Sequence, residues 1–129
     1  VRATEYNRFQ EKLSNGNVQI FFLGWNADYP DPENFFFLFY GPKSKVGAGG
    51  ENTVNYQNKK FDELYEKMTI LPNGAQRQSI INEMNEILRK DNPWIWGFHP
   101  KSVTLTHGWV DPNKQNAMSR NTLKYVNLD

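Results

Sequence analysis

A junction between an apolar, ring-rich stretch and a block of prolines and acids constrains the fold of this chain most strongly. The stretch Val18–Trp25 has the length and composition of a largely buried strand. The block Asn26–Glu33 holds two prolines and three acids and cannot extend that strand, because proline has no N–H to donate. A helix is instead predicted to start here, with Asp31 as its cap, Pro32 as its first residue and Glu33 as an acid in its first turn.

Four helices are predicted from caps and apolar periodicity. Thr4 caps the first, which carries Tyr6, Phe9 and Leu13 on one face, and a turn at residues 14–17 ends it. Together with Val18–Trp25 this helix forms a helix–turn–strand unit, which favours an α/β architecture. The second helix runs from the Asp31 cap to Tyr40, and Gly41-Pro42 ends it. Because this helix is apolar all round, we expect it to be buried.

The two later helices are amphipathic and follow a glycine-rich loop at Lys43–Val54, which lacks the Gly-Lys-Ser/Thr ending of a phosphate loop. Asn58 caps the third helix, and Pro93 ends the fourth. The expected apolar face of the third comprises Phe61, Leu64, Tyr65 and Met68. The fourth places Ile80, Ile81, Met84, Ile87 and Leu88 on one side and Arg77, Glu83, Glu86 and Arg89 largely on the other. Short strands are predicted at Trp94–Phe98, Val103–Thr106 and Leu123–Val126.

Composition excludes several classes of function. The 129 residues carry 15 basic and 14 acidic side chains, a net charge of +1, which argues against a nucleic-acid partner. There are 0 cysteines, so disulfides, cysteine-ligated metals and thiol catalysis are excluded. No apolar run approaches the roughly 18–20 residues that cross a bilayer. Aromatic residues make up 15% of the chain, which predicts a ring-rich core or a cleft lined with rings.

Catalytic and metal-binding patterns are missing from the sequence. His99 and His107 lie eight residues apart and form no helical ligand pair, so we expect no metal site and no cofactor. No nucleophile motif is present. An enzyme that uses Asp28 and His99 is the weakest of the functional hypotheses, and the chain is predicted not to be an enzyme.

Asp28 is the strongest candidate for a ligand-binding residue. It directly follows the predicted strand, in the type of loop where α/β sheets place ligand groups, and it lies beside Trp25 and Tyr29. A carboxylate in that position suits a ligand ammonium group. Trp25 and Trp96 are either cleft walls or core residues, whereas Trp94 is expected to pack in the core.

Four segments in order resemble the C-terminal portion of extracellular solute-binding protein family 5, the peptide/nickel-type binding proteins of ABC importers. The first is Gly24–Phe35, which reads Gly-Trp-Asn-Ala-Asp-Tyr-Pro-Asp-Pro-Glu-Asn-Phe. The second joins Asn55–Asn58 to Phe61–Leu64, and the third is the long helix from Arg77 to Asp91. The fourth, Asn92–Pro100, resembles the family's Ala-Pro-x-Ile-Pro-Leu-Tyr-His-Pro strand, and the ending from Arg120 to Leu128 fits as well.

The resemblance implies a two-lobed type II periplasmic-binding-protein-like fold of the α/β class that closes on its ligand. Residues 1–100 would form the C-terminal part of the second lobe, and residues 101–129 a tail returning to the first lobe. The acid matching Asp28 would pair with a peptide's amino group, and Gly24, Trp25 and Asn26 would line the same cleft. His99 would lie near the lobe crossing, with Trp96 close by in sequence.

The implied function is extracytoplasmic capture of a small solute, an oligopeptide or a nickel complex, and its delivery to ABC permease subunits. The protein would be periplasmic or extracellular, with a membrane anchor supplied by a segment outside this chain. The chain begins Val1-Arg2 without a methionine or signal peptide, so we expect a piece of a longer protein. The alternative is a fragment that acts only as an interaction or structural domain. In either case we expect the isolated chain to self-associate, because the partner surfaces for its strands and tail are missing.

Overall fold

The computed structural model describes residues 3–101, 103, 105–111, 127 and 128. The chain divides into two units, Val1–Trp94 and Ile95–Asp129. The described residues of the first unit form five helices: α1 (Tyr6–Ser14), α2 (Glu33–Phe36), α3 (Lys45–Ala48), α4 (Lys59–Ile70) and α5 (Ala75–Asp91). The assignment of residues 1–100 and 101–129 to two lobes stays a prediction.

Helix α1 forms as predicted, but its cap is Glu5 and not Thr4. The two carboxylate oxygens of Glu5 accept hydrogen bonds from the backbone N–H groups of Asn7 and Arg8, at 3.0 and 3.2 Å. These are the second and third residues of the helix, whose N–H groups lack an intrahelical acceptor. Leu13 is buried at the far end of the helix.

The strand predicted at Val18–Trp25 is wrong. Residues 17–27 contain no strand, and Ile20 and Phe22 are 89% and 74% exposed. A strand needs a neighbour to take up its backbone hydrogen bonds, and no neighbouring strand is present among the residues that the structure describes in this unit. The apolar pattern is typical of a strand, but a pattern alone does not form one without a neighbouring strand.

The predicted helix from Asp31 to Tyr40 is present as a short α-helix followed by a tighter 3-10 turn. Helix α2 ends at Phe36, and a 3-10 turn continues from Phe37 to Phe39 before Tyr40 leaves the helix. A second 3-10 turn, Gly41–Lys43, follows where the helix was expected to end. Burial is as predicted for Phe36, Leu38 and Phe39, whereas Phe35 lies 44% exposed.

The glycine-rich loop at Lys43–Val54 is ordered around a buried asparagine. Helix α3 is a single interrupted turn within it, with non-helical dihedral angles at two of its four residues. The Asn52 side chain donates to the carbonyl oxygens of Tyr40 and Tyr56, at 3.2 and 2.9 Å, and accepts from the Tyr56 N–H at 3.0 Å. All of the polar atoms of this side chain are therefore satisfied without water.

Helices α4 and α5 pack against each other and against the α2 region to form the core of the first unit. Asn58 caps α4 as predicted, since its side chain accepts from the Phe61 N–H at 3.1 Å. Trp94 packs on Phe39 with ring centroids 4.2 Å apart, which confirms its predicted core role. The buried core side chains are Phe36, Leu38, Phe39, Phe61, Leu64, Tyr65, Met68, Ile81, Met84 and Leu88.

Arg77 was predicted to lie on the polar side of α5, and this was wrong. It is 7% exposed and belongs to the buried face with Ile81, Met84 and Leu88. The four residues follow the spacing i, i+4, i+7, i+11, which is one face of a helix. Charged side chains usually face solvent, but the ion pair with Asp31 allows the Arg77 guanidinium to be buried.

The described residues of the second unit contain one antiparallel strand pair, β1 (Val110–Asp111) and β2 (Asn127–Leu128), with Val110 opposite Leu128. Residues 94–101, and residues 103, 105 and 106, form no strand, so the strands predicted at Trp94–Phe98 and Val103–Thr106 are not observed. The strand predicted at Leu123–Val126 lies outside the described residues. The described part of the chain is mostly helical and does not carry the predicted α/β sheet.

Candidate ligand-binding site

Asn34 organises the loop that holds the predicted site residues. Its side chain is only 3% exposed, at the start of helix α2. The carboxamide oxygen Oδ1 accepts two hydrogen bonds, from the Trp25 Nε1–H at 3.1 Å and from the Asp28 backbone N–H at 2.9 Å. One buried atom thus fixes the loop at two points, three residues apart.

Trp25 is half-buried and belongs partly to the core. Its ring meets Phe37 edge to face, with centroids 5.3 Å apart, and it packs against the core cluster. Its indole N–H is satisfied by Asn34. The remaining exposed surface of the ring is what a ligand could contact.

Gly24, Asn26 and Asp28 are exposed on the same loop. A Cβ built at Gly24 would meet no atom within 4 Å, so the backbone there is open on the side-chain face. Asp28 is held through its own backbone N–H, so its carboxylate projects from a fixed main chain. The structure therefore brings Gly24, Trp25, Asn26 and Asp28 together on one loop.

Asp31 has the structural role that the sequence predicted for it. Its Oδ1 accepts from the Glu33 N–H at 2.8 Å, which satisfies the start of α2. The same oxygen accepts from the Arg77 Nη2 at 2.7 Å, and this bond holds the pKa of the Asp31 carboxyl below its ordinary value. Arg77 also donates to the Met68 carbonyl at 3.1 Å and to Asn73 Oδ1 at 2.8 Å.

Glu33 lies between two phenols and is likewise used within the fold. Tyr29 and Tyr65 each donate their hydroxyl to one of its carboxylate oxygens. Burial, and then the bond to Glu33, raises the pKa of Tyr65, whereas for Tyr29 the bond to Glu33 is the main cause of a raised pKa. Tyr40 stacks on Tyr65 with ring centroids 4.5 Å apart. The Tyr40 hydroxyl donates to Glu66 of α4, and this bond raises the pKa of Tyr40 to about 12.

An open depression beside this loop is lined by side chains that are engaged with each other or with the backbone. Its lining comprises Tyr29, Asp31, Glu33, Thr69 and Arg77. Each of these has a hydrogen-bond partner within the chain. The polar side chains that line this depression therefore hold the fold together, and Asp28 lies exposed in the same loop.

Trp96 and His99 belong to the second unit, where Trp96 is 61% exposed and His99 is also exposed. His107, the other histidine, stacks on Trp109 with centroids 5.4 Å apart. The structure groups four of the six predicted site residues on one loop, and the other two lie in a unit described by itself.

The described residues contain no group of three or more His, Cys, Asp or Glu side chains that could hold a metal ion. In the same part of the chain, no helix has both the length and the apolar character needed to cross a membrane.

Comparison with curated proteins places the chain beside peptide-binding proteins. It is 25% identical to Di/tripeptide-binding protein 4 of Pseudomonas aeruginosa strain UCBPP-PA14, over 94% of this chain and 22% of that protein. It is 26% identical to Di/tripeptide-binding protein 2 of the same strain, over 100% of this chain and 24% of that protein. It is 23% identical to the Periplasmic oligopeptide-binding protein OppA of Escherichia coli strain K12, over 82% of this chain and 18% of that protein.

These matches confirm the resemblance to family 5 solute-binding proteins, since the curated homologues are di/tripeptide-binding and oligopeptide-binding proteins. No family model matches the chain, and no solved structure gives a significant match. The chain spans about a quarter of the length of the first two relatives. Those relatives are binding proteins by name, which fits a protein that is not an enzyme.

Sequence reasoning missed Asn34 and the burial of Arg77. Arg77 shares the helical spacing of the buried residues of α5, so its place on that face could have been found from periodicity. Asn34 carried no comparable signal, because a single asparagine after a helix start is common and its two partners are nine and six residues away.

Proposed function

We propose that the chain is part of a binding protein that captures small peptides outside the cytoplasm and delivers them to an ABC import permease. The observation that carries the proposal is the similarity to two di/tripeptide-binding proteins along 94–100% of the chain. The periplasmic name of one relative supports the compartment. A membrane anchor outside this chain is part of the same proposal, as is the two-lobed fold in which residues 1–100 and 101–129 contribute to different lobes.

Asp28 is proposed as the anchor for the peptide's α-ammonium group. Its support is geometric: an exposed carboxylate on a loop whose main chain is fixed by Asn34. A hydrogen bond to a charged group contributes roughly 1.5–3 kcal/mol, enough for about tenfold in affinity or more.

The proposed walls of the site are Trp25, with its half-exposed ring, and the open backbone of Gly24 and Asn26. Trp96 and His99, which are exposed in the second unit, are proposed as further ligand-binding residues. Burial of a small ligand between walls of this kind, with one charged anchor, is the usual design of a small-molecule site.

Titration calorimetry of the full-length protein with dialanine and trialanine tests this function. Binding should be saturable, and N-acetyl-trialanine should bind at least about tenfold more weakly, because acetylation removes the ammonium group. The absence of any binding by dialanine or trialanine would contradict the proposed substrate class.

A second candidate is an interaction or structural fragment without ligand affinity of its own. Ile20 and Phe22 favour it, because two large apolar side chains lie exposed on the segment before the candidate loop. The two candidates differ in the calorimetric test, since an interaction fragment in its full-length parent should release no binding heat with either peptide.

A further inference from the structure

The hydrogen bonds of Asn34 join the two residues that the proposed function needs most. Its Oδ1 receives the side-chain N–H of Trp25 and the backbone N–H of Asp28, at 3.1 and 2.9 Å. Asn34 itself is 3% exposed, so it contacts no ligand directly. Its two bonds set the orientation of the indole and the position of the Asp28 main chain relative to helix α2.

We propose that Asn34 is a positioning residue of the peptide site, holding Trp25 and Asp28 in their binding arrangement before a ligand arrives. This inference rests on the proposed function. Ordering a loop when the ligand binds costs affinity, and a loop ordered in advance avoids that cost. A charged hydrogen bond that is displaced from its partner loses most of its contribution, which corresponds to about tenfold in affinity or more. One buried acceptor can therefore control affinity without touching the ligand.

A second anchor lies on the far side of Asp28. Asp31 is bonded to Arg77, which is itself buried and held by Met68 and Asn73. The loop is therefore fixed at Trp25, Asp28 and Asp31. The Asp31 anchor does not depend on Asn34, so losing Asn34 should loosen the Trp25–Asp28 part of the loop while the start of α2 stays capped.

Asn52 provides a matched control for this role. Like Asn34, it is buried and holds loop backbone through its side chain, but its partners are Tyr40 and Tyr56 and not the candidate loop. Asn34→Ala and Asn52→Ala should both lower the free energy of unfolding, because each leaves buried donors or acceptors unpaired. A merely structural role would make the two variants alike in ligand affinity as well.

The test measures trialanine affinity by calorimetry and stability by denaturant unfolding in the full-length protein and its variants. Asn34→Ala should weaken trialanine about tenfold or more, whereas Asn52→Ala should stay within about twofold of the wild type. Asn34→Asp keeps an oxygen that accepts both bonds and should recover most of the affinity. If Asn34→Ala does not fold, Asn34→Leu, of similar volume and without an acceptor, takes its place.

Equal affinities for the Asn34 and Asn52 variants would overturn the positioning role while leaving the proposed function intact. Failure of the wild-type protein to bind trialanine or dialanine would instead refute the proposed function, and the positioning role with it. Tryptophan fluorescence adds a readout without ligand: the emission spectrum should shift more in Asn34→Ala than in Asn52→Ala, because Asn34 bonds the Trp25 indole directly. Equal shifts in the two variants would also count against the proposal.

Discussion

At the scale of single residues, buried polar side chains explain how an irregular loop can be held firmly. Asn34 accepts from Trp25 and Asp28, and Arg77 binds Asp31 while also donating to two further oxygens. Each of these side chains forms hydrogen bonds with several polar groups of the loop or its surroundings. Asp31 and Glu33 thereby have defined structural roles in the loop.

Two glycines give a paired prediction at this scale. A Cβ at Gly50 would lie 2.1 Å from the backbone oxygen of Lys43, whereas a Cβ at Gly24 would meet nothing within 4 Å. Gly50→Ala should therefore destabilise the fold by about 2 kcal/mol, and Gly24→Ala should leave stability unchanged within about 0.5 kcal/mol. Denaturant unfolding measures both.

Gly24→Ala also tests whether Gly24 lines the ligand site, because the added methyl group would clash with no atom of the chain itself. A loss of trialanine affinity with unchanged stability would place Gly24 against the ligand. An unchanged affinity would remove Gly24 from the proposed walls.

The Asp31–Arg77 ion pair predicts that the fold loses stability at acid pH. The hydrogen bond from Arg77 lowers the folded pKa of Asp31 below its ordinary value of 3.8. The stabilisation is therefore complete above pH 3.8 and is lost as the pH falls through the lower, folded pKa. Asp31→Asn should cost about 1–2 kcal/mol at pH 7, since the side chain is partly exposed.

Denaturant unfolding of wild type and Asp31→Asn between about pH 2 and about pH 7 measures this effect, because that range brackets the ordinary pKa of aspartate. The two stabilities should converge as the pH drops below 3.8. A difference that stayed constant across this range would mean that the carboxylate charge is not what Arg77 stabilises.

At the scale of elements, the helices followed from sequence and the strands did not. The caps at Asn58 and Asp31 and the apolar faces of α4 and α5 are local signals, contained within a few residues. A strand depends on a partner elsewhere, so the strand-like pattern of Val18–Trp25 could not reveal whether one is present. The same holds for the candidate site: position in sequence makes Asp28 a candidate, but the Asn34 bond that holds its backbone depends on tertiary geometry.

At the scale of the whole molecule, the chain exposes apolar side chains that a complete protein would be expected to cover. Ile20 and Phe22 in the first unit and Ile95, Phe98, Val103 and Leu105 in the second are all more than half exposed. The segment Val18–Trp25 also carries no charged side chain, so no charge opposes its pairing with extended backbone of a second copy. Together these features predict association of the isolated chain.

Light scattering of the isolated 129-residue chain at micromolar concentration should therefore show species larger than a monomer. The double variant Ile20→Lys with Phe22→Lys should reduce the association, because lysines on a strand edge block pairing. The matched control, Lys substitutions at the exposed polar positions Gln19 and Asn26, adds the same charge without removing apolar surface. A compact monomer with a cooperative melt would show that the chain is self-sufficient.

The proposed pairing of a peptide's ammonium group with Asp28 is tested most directly by a thermodynamic cycle. Calorimetry measures trialanine and N-acetyl-trialanine against wild type and Asp28→Asn in the full-length protein, with Glu63→Gln, an exposed acid on α4, as the charge control. If both changes remove the same contact, acetylation should cost about tenfold or more in the wild type and in the control, and almost nothing in Asp28→Asn. An equal cost of acetylation in all three proteins would show that the ammonium group is bound elsewhere.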